Sequence, residues 1–113
     1  MNRKNTDIYY NLGRLFGLAT YVTFGTQYAN SIKNKMDSYV VKPKSQFGFI
    51  LKTTEREIPT FKNGRKDILN RELREILWNI NSEKIDDKII PLELQRNMQM
   101  GLYHEKSYLF GEK

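Results

Sequence analysis

Residues 8–22, IYYNLGRLFGLATYV, restrict the possible folds more than any other stretch of the chain. Ile8, Leu12, Leu15, Phe16 and Ala19 recur at steps of three and four, which gathers them on one face of a helix about four turns long. Thr6 or Asp7 is placed to cap its first turn: a side-chain oxygen there accepts a backbone N–H, and a carboxylate also suits the positive end of the helix dipole. Tyr9, Asn11, Arg14 and Thr20 fall on the opposite face, so the helix reads as two-sided and suited to a bundle rather than a membrane. Gly13 and Gly17 stand four apart inside it, and each costs about 1 kcal/mol relative to alanine. Close packing against a neighbouring helix would offset that cost. The alternative is a flat spot on which the backbone of another molecule lies.

The rest of the chain extends this helical reading. Gly25 can end the first helix and Thr26 can cap a short second one, with Tyr28 or Ala29, Ile32 and Met36 inward. Residues 37–42, DSYVVK, read as a loop tucked into the core, because three strand-like residues without a partner run make a poor sheet. Pro43 suits the first turn of a third helix, which puts Phe47, Ile50, Leu51 and Thr54 inward and Lys44, Lys52 and Arg56 outward. Gly48 within it predicts close approach by a neighbour, and Pro59 ends it. Residues 58–64 form a connecting loop with Phe61 held inside and a turn at Asn63 and Gly64. A fourth helix over residues 66–81 carries the stripe Ile68, Leu69, Leu73, Ile76, Leu77 and Ile80, with Trp78 at the core edge and Asp67–Arg71 and Arg71–Glu75 as charge pairs. After a polar connector over 82–90, Pro91 opens a last helix with Leu92 or Leu94, Met98, Leu102 and Leu109 inward and Gly101 permitting close packing. The expectation is an all-α fold, one compact bundle of about five helices, with residues 1–113 forming a single domain.

Composition narrows the function. Charged residues make up 28% and hydrophobic ones 39%, as in ordinary globular proteins. No apolar run approaches the ~20 residues of a membrane span, and MNRKNTD lacks the apolar core of a signal peptide, so a cytoplasmic protein is expected. With no cysteine, thiolate catalysis and thiolate metal sites are excluded. His104 is the single histidine and reads as structural. Asp86 and Asp87 read as solvated turn residues, and Gly13 and Gly17 follow no strand, so they form no phosphate loop. No enzyme activity, cofactor or metal is expected.

The net charge of +6 is uneven. Residues 1–62 hold ten Lys or Arg against four Asp or Glu, while residues 63–113 hold nine of each. Such asymmetry points to a polyanion, and phosphate backbone is the natural candidate. Lys33, Lys35, Lys42, Lys44, Lys52 and Arg56 follow one another on a helix, a loop and the next helix, with Tyr39 among them as an aromatic that can stack on an unpaired base. No helix carries the Arg, Asn and Gln set of a major-groove reader, which favours single-stranded or backbone-only binding.

Four segments together resemble a known family. YYNLGRLFGLA (residues 9–19) is similar to the Tyr-Leu-Gly-Arg-Leu-Phe helix near the C-terminal end of the large subunit of type I-C CRISPR Cascade complexes, an end also made separately as the small subunit. SIKNK (31–35) resembles that family's Ile-Arg-Asp-Arg element, and PKSQFGFIL (43–51) keeps its proline, a phenylalanine four later and a leucine pair. LELQRNMQMGLYHEK (92–106) is similar to the closing helix, with Gln95, Gly101, Tyr103 and His104 on its Gln, Gly, Tyr-His pattern. Asn34 stands where an aspartate is usual, and Thr53–Thr54 lies near where the family has a His-His pair.

The resemblance implies a non-enzymatic helical subunit, present in several copies, that bridges the backbone and large subunits and supports the single DNA strand of the R-loop. On that reading Lys33, Lys35, Lys42, Lys44, Lys52 and Arg56 hold phosphates, and Arg14 joins them or supports the loop through a carboxylate such as Asp37. A virus-encoded mimic that occupies the same slot, and a helical module that docks on an acidic protein, are the rival expectations.

Overall fold

Asp7 starts the fold. In the computed structural model, which describes residues 5–111, one of its carboxylate oxygens accepts the N–H groups of Tyr9 and Tyr10 at 2.7 and 3.4 Å. The other accepts the side-chain amide of Asn97 at 2.7 Å. The first contact caps helix α1 (Ile8–Thr23), and the second fastens its start to the last helix, α6 (Leu92–Leu109). From there Tyr10 meets Gly101 and His104, Arg14 meets Glu105, and Phe24 meets Phe110. The contacts advance in the same direction along both helices, so α1 and α6 run parallel.

Their crossing is close because glycines face backbone. A Cβ on Gly13 would overlap the carbonyl of Met98, one on Gly101 would overlap that of Tyr10, and one on Gly17 would lie 2.9 Å from the Leu102 oxygen. The glycine spacing of α1 therefore serves helix packing. Gly48, expected to do the same, has nothing near the position of its missing Cβ; it lies on the outward side of its helix.

After α1, Gly25 takes φ +80° and turns the chain, and Thr26 accepts the Tyr28 N–H ahead of α2 (Ala29–Lys33). The segment expected to be a loop forms α3 (Met36–Val41). Its anchor is tertiary: the Tyr39 hydroxyl donates to the Leu12 carbonyl at 3.1 Å and the ring stacks on Phe16. Helix α4 (Pro43–Glu57) starts on Pro43 as expected. Ser45 in its first turn donates through N–H and hydroxyl to Asp87 at 2.9 and 2.7 Å, so Asp87 ties the connector to this helix end instead of merely being solvated.

A 3-10 turn (Ile58–Thr60) leads to α5 (Asn63–Trp78). Asn63 and Gly64 are its first residues and not a separate turn, and the helix ends before Asn81. Phe61 is half-buried and stacks on Tyr21. Leu69, Leu73 and Ile76 are buried as their spacing required, but Trp78, expected at the core edge, is 89% exposed. Between α5 and α6 the connector carries a second 3-10 turn (Ser82–Lys84) and buries Ile85 and Ile90. The Ile90 N–H donates to the Val40 carbonyl at 3.0 Å, pinning the connector to α3.

The result is an all-α bundle of six helices among the described residues, with no strand. Helix α1 is its axis, packed on α6 along its length and on α4 and α5 elsewhere. Unlike the two-sided helix expected, α1 buries nearly every residue from Tyr10 to Ala19, Asn11 and Arg14 included. Among the described residues, no helix is long and apolar enough to cross a membrane.

Candidate nucleic-acid interface

Helix α4 presents an inner and an outer side because Ile50, Thr53, Thr54 and Glu57 turn inward at helical spacing. Lys44, Lys52 and Arg56 are exposed on the reverse. At a rise of 1.5 Å per residue, Lys44 and Lys52 are roughly 12 Å apart along the axis and Arg56 about 6 Å further. Gly48 lies between the two lysines and adds no side chain, leaving helix backbone bare there.

Two aromatic rings attach neighbouring elements to this side. The Lys35 ammonium lies 4.8 Å from the Phe49 ring centroid, and the Arg56 guanidinium 4.1 Å from that of Tyr28. A cation on an aromatic face keeps its charge while its stem is held in place, so Lys35 and Arg56 are ordered cations. The ring contacts thus bring Lys35 and Arg56 to the side of α4 where Phe49 is partly exposed, while Lys44 and Lys52 are exposed on the same helix with Glu55, and Arg56 also meets Glu57 at 3.3 Å. Phe49 is the aromatic that the sequence reading did not single out, and Tyr28 was expected, as an alternative to Ala29, to face inward; Phe49 sits three and seven residues before Lys52 and Arg56, which is the spacing of one helix side.

The other expected residues go elsewhere. Lys42 is exposed at the junction of α3 and α4, beside a shallow depression bounded by Asp37 and Gln46. It is also near Asp87, whose carboxyl is held below its usual range by hydrogen bonds from Ser45. Lys33 is exposed but lines a groove shared with α6, apart from the α4 set. Tyr39 is wholly buried, its hydroxyl proton held more tightly because burial disfavours the phenolate, so it cannot stack on a base. Its place at the centre of a short amphipathic helix turns it to the core.

Arg14 is corrected most fully. Its side chain is 0% exposed and ion-paired with Glu105 at 2.9 Å, Glu72 at 3.1 Å and Glu75 at 2.8 Å. So enclosed, it is closed to phosphate from outside and its partners are not Asp37, because a buried guanidinium requires carboxylates around it and α5 and α6 supply three. Glu105 Oε2 accepts no hydrogen bond. Burial, with the Glu72 carboxylate beside it, pushes the Glu105 carboxyl up to about 8 against the pull of Arg14.

For other chemistry the described residues offer little. His104 is half-buried, with Nδ1 2.8 Å from the Tyr10 hydroxyl. Among the described residues no group of three His, Asp or Glu side chains is arranged to hold a metal ion. No protein-family model matches the chain, and comparison with curated proteins finds no significant relative.

Proposed function

We propose that this chain is a non-catalytic helical subunit of a type I CRISPR effector complex, which holds the displaced single strand by its phosphates while bridging the backbone and large subunits. The observation that carries the reading is the set of exposed cations on α4, Lys44, Lys52 and Arg56, with Lys35 held on the Phe49 ring and Arg56 on that of Tyr28. Lysines and arginines spaced along a helix neutralise successive phosphates without reading bases, and a partly exposed ring adds a stacking surface that tolerates any sequence. Pairing of guide with target is nearly balanced against opening of the duplex, so a subunit that retains the freed strand biases the exchange forward. The segment resemblances to the type I-C small subunit supply the complex. Buried Arg14 gives the Leu-Gly-Arg-Leu-Phe run a structural part in this reading, as the helix that holds the bundle together.

The test is binding of the purified protein to labelled single-stranded and duplex DNA of one sequence across a salt series. Preference for the single strand, with affinity falling as salt rises, is the expected result. Equal or absent binding at low salt would leave a protein-bridging role alone.

A further inference from the structure

A second surface differs from the α4 side in kind. Helix α6 turns Met98, Gly101, Glu105 and Leu109 to the core. Its opposite side carries Leu92, Arg96, Gln99, Tyr103 and Lys106, and Phe110 at its C-cap continues the row, at alternating steps of four and three. That spacing keeps a stripe facing one direction along five turns, about 27 Å. Leu92 is 78% and Tyr103 68% exposed, and Met100 beside them is half exposed. Leu92, Met100 and Tyr103 thus leave half or more of their surface uncovered on a helix already packed by its other side.

The stripe borders a groove of about 480 Å³ between α6, α2 and the end of α1. Its apolar lining is Phe16, Phe24, Ala29, Met36, Leu102 and Phe110. Phe24 is 72% exposed, held edge-on to Phe110 where Gly25 turns the chain. Two shallower grooves continue along the same side of α6, and Gln99 lines all three. The charged residues lining the three are Lys33, Arg96 and Lys106, and no carboxylate lines any of them.

We infer that this surface docks an acidic amphipathic helix of a partner protein, laid along α6 with apolar side chains in the groove and carboxylates against Lys33, Arg96 and Lys106. Charge excludes a second copy as the occupant. Paired antiparallel about the middle of the stripe, α6 would set Arg96 against Lys106 of its copy; paired parallel, it would set each cation against itself. Either arrangement places like charges together at an otherwise apolar contact. The lining argues against nucleic acid. Phe16, Ala29, Met36 and Leu102 form a floor for aliphatic and aromatic knobs at the i, i+3, i+4 and i+7 positions of a helix, whereas the polar edges of a base would be left short of partners there.

The probe is a labelled 18-residue helical peptide with leucines at alternating three- and four-residue steps and flanking glutamates. A sister peptide with flanking lysines and a labelled oligothymidylate are the comparators. By fluorescence anisotropy the glutamate peptide is expected to bind and the lysine peptide to bind at least ~10-fold more weakly, while Arg96→Glu with Lys106→Glu reverses the preference. Both substitutions are at exposed positions, and the circular dichroism of the variant checks its fold. Equal binding of the two peptides, or of neither, overturns the inference. Competition of oligothymidylate for the peptide site, lost in the same variant, assigns the surface to nucleic acid and also overturns it. So does concentration-dependent self-association abolished by Met100→Glu. Lys44→Glu with Lys52→Glu should leave peptide binding unchanged, so failure here and failure of the α4 reading are separable.

Discussion

Arg14 places a charge in the buried interior of the bundle, and its surroundings decide whether that stabilises. Glu72 and Glu105 are fully buried with it, while Glu75 is partly exposed. Replacing Arg14 with methionine removes the one group these carboxylates share. The expected cost is about 3–5 kcal/mol, a large fraction of the ~5–15 kcal/mol that holds a domain of this size, and urea denaturation measures it. Glu105 tells the same story through pH. Its carboxyl titrates near 4.5 when unperturbed and at about 8 in the folded protein, so between those values the folded state holds a proton that the unfolded chain has released. Stability therefore falls as pH rises across this window, by up to about 1.4 kcal/mol per unit. Glu105→Gln, which keeps an acceptor for the Arg14 Nε–H, should flatten that slope; a denaturation midpoint that falls equally in both proteins from pH 5 to 8 would count against it. None of this was legible beforehand. The three carboxylates lie 58, 61 and 91 residues from Arg14 in the chain, and a charged residue read alone is assigned to solvent.

Among the helices, legibility depended on whether the signal was local. The three-and-four spacing of α1 and the Asp7 cap are properties of consecutive residues, and both hold. Residues 36–41 become a helix through contacts their own sequence does not display: Tyr39 reaches Leu12, and Val40 receives the N–H of Ile90. Glycine shows the boundary most clearly. Gly13, Gly48 and Gly101 all lie inside helices, yet only Gly13 and Gly101 face backbone, because a glycine records the absence of a Cβ and not the presence of a neighbour. Alanine substitution separates them. Gly13→Ala and Gly101→Ala should each destabilise by about 2 kcal/mol or more, since carbonyl groups of the facing helix cannot move aside without parting α1 from α6. Gly48→Ala should stabilise by about 0.5–1 kcal/mol through helix propensity alone. Thermal melts of the three variants check the contrast, and a loss at Gly48 would mean that something packs on that spot.

At the scale of the molecule, basic residues lie on two surfaces of different elements around α1. The excess in the first half was plain in the sequence, as was the place of Lys44, Lys52 and Arg56 on one helix; what was not plain was that Lys33 leaves the set and that Phe49 and Tyr28, not Tyr39, are the rings that meet its cations. If Lys44 and Lys52 each displace a counterion from a bound single strand, neutralising both removes two such ions from the balance. With a slope of about 0.7 per phosphate for single strands, Lys44→Gln with Lys52→Gln should reduce the dependence of log affinity on log salt by about 1.4. The two residues are exposed, so the variant should fold as well as the parent, and its lower affinity should shrink toward parity as salt rises. Arg96→Gln with Lys106→Gln, on α6, removes the same total charge. A general attraction between a +6 protein and a polyanion would make the two variants behave alike; a strand seated on α4 changes the slope in the first variant and leaves it nearly unchanged in the second.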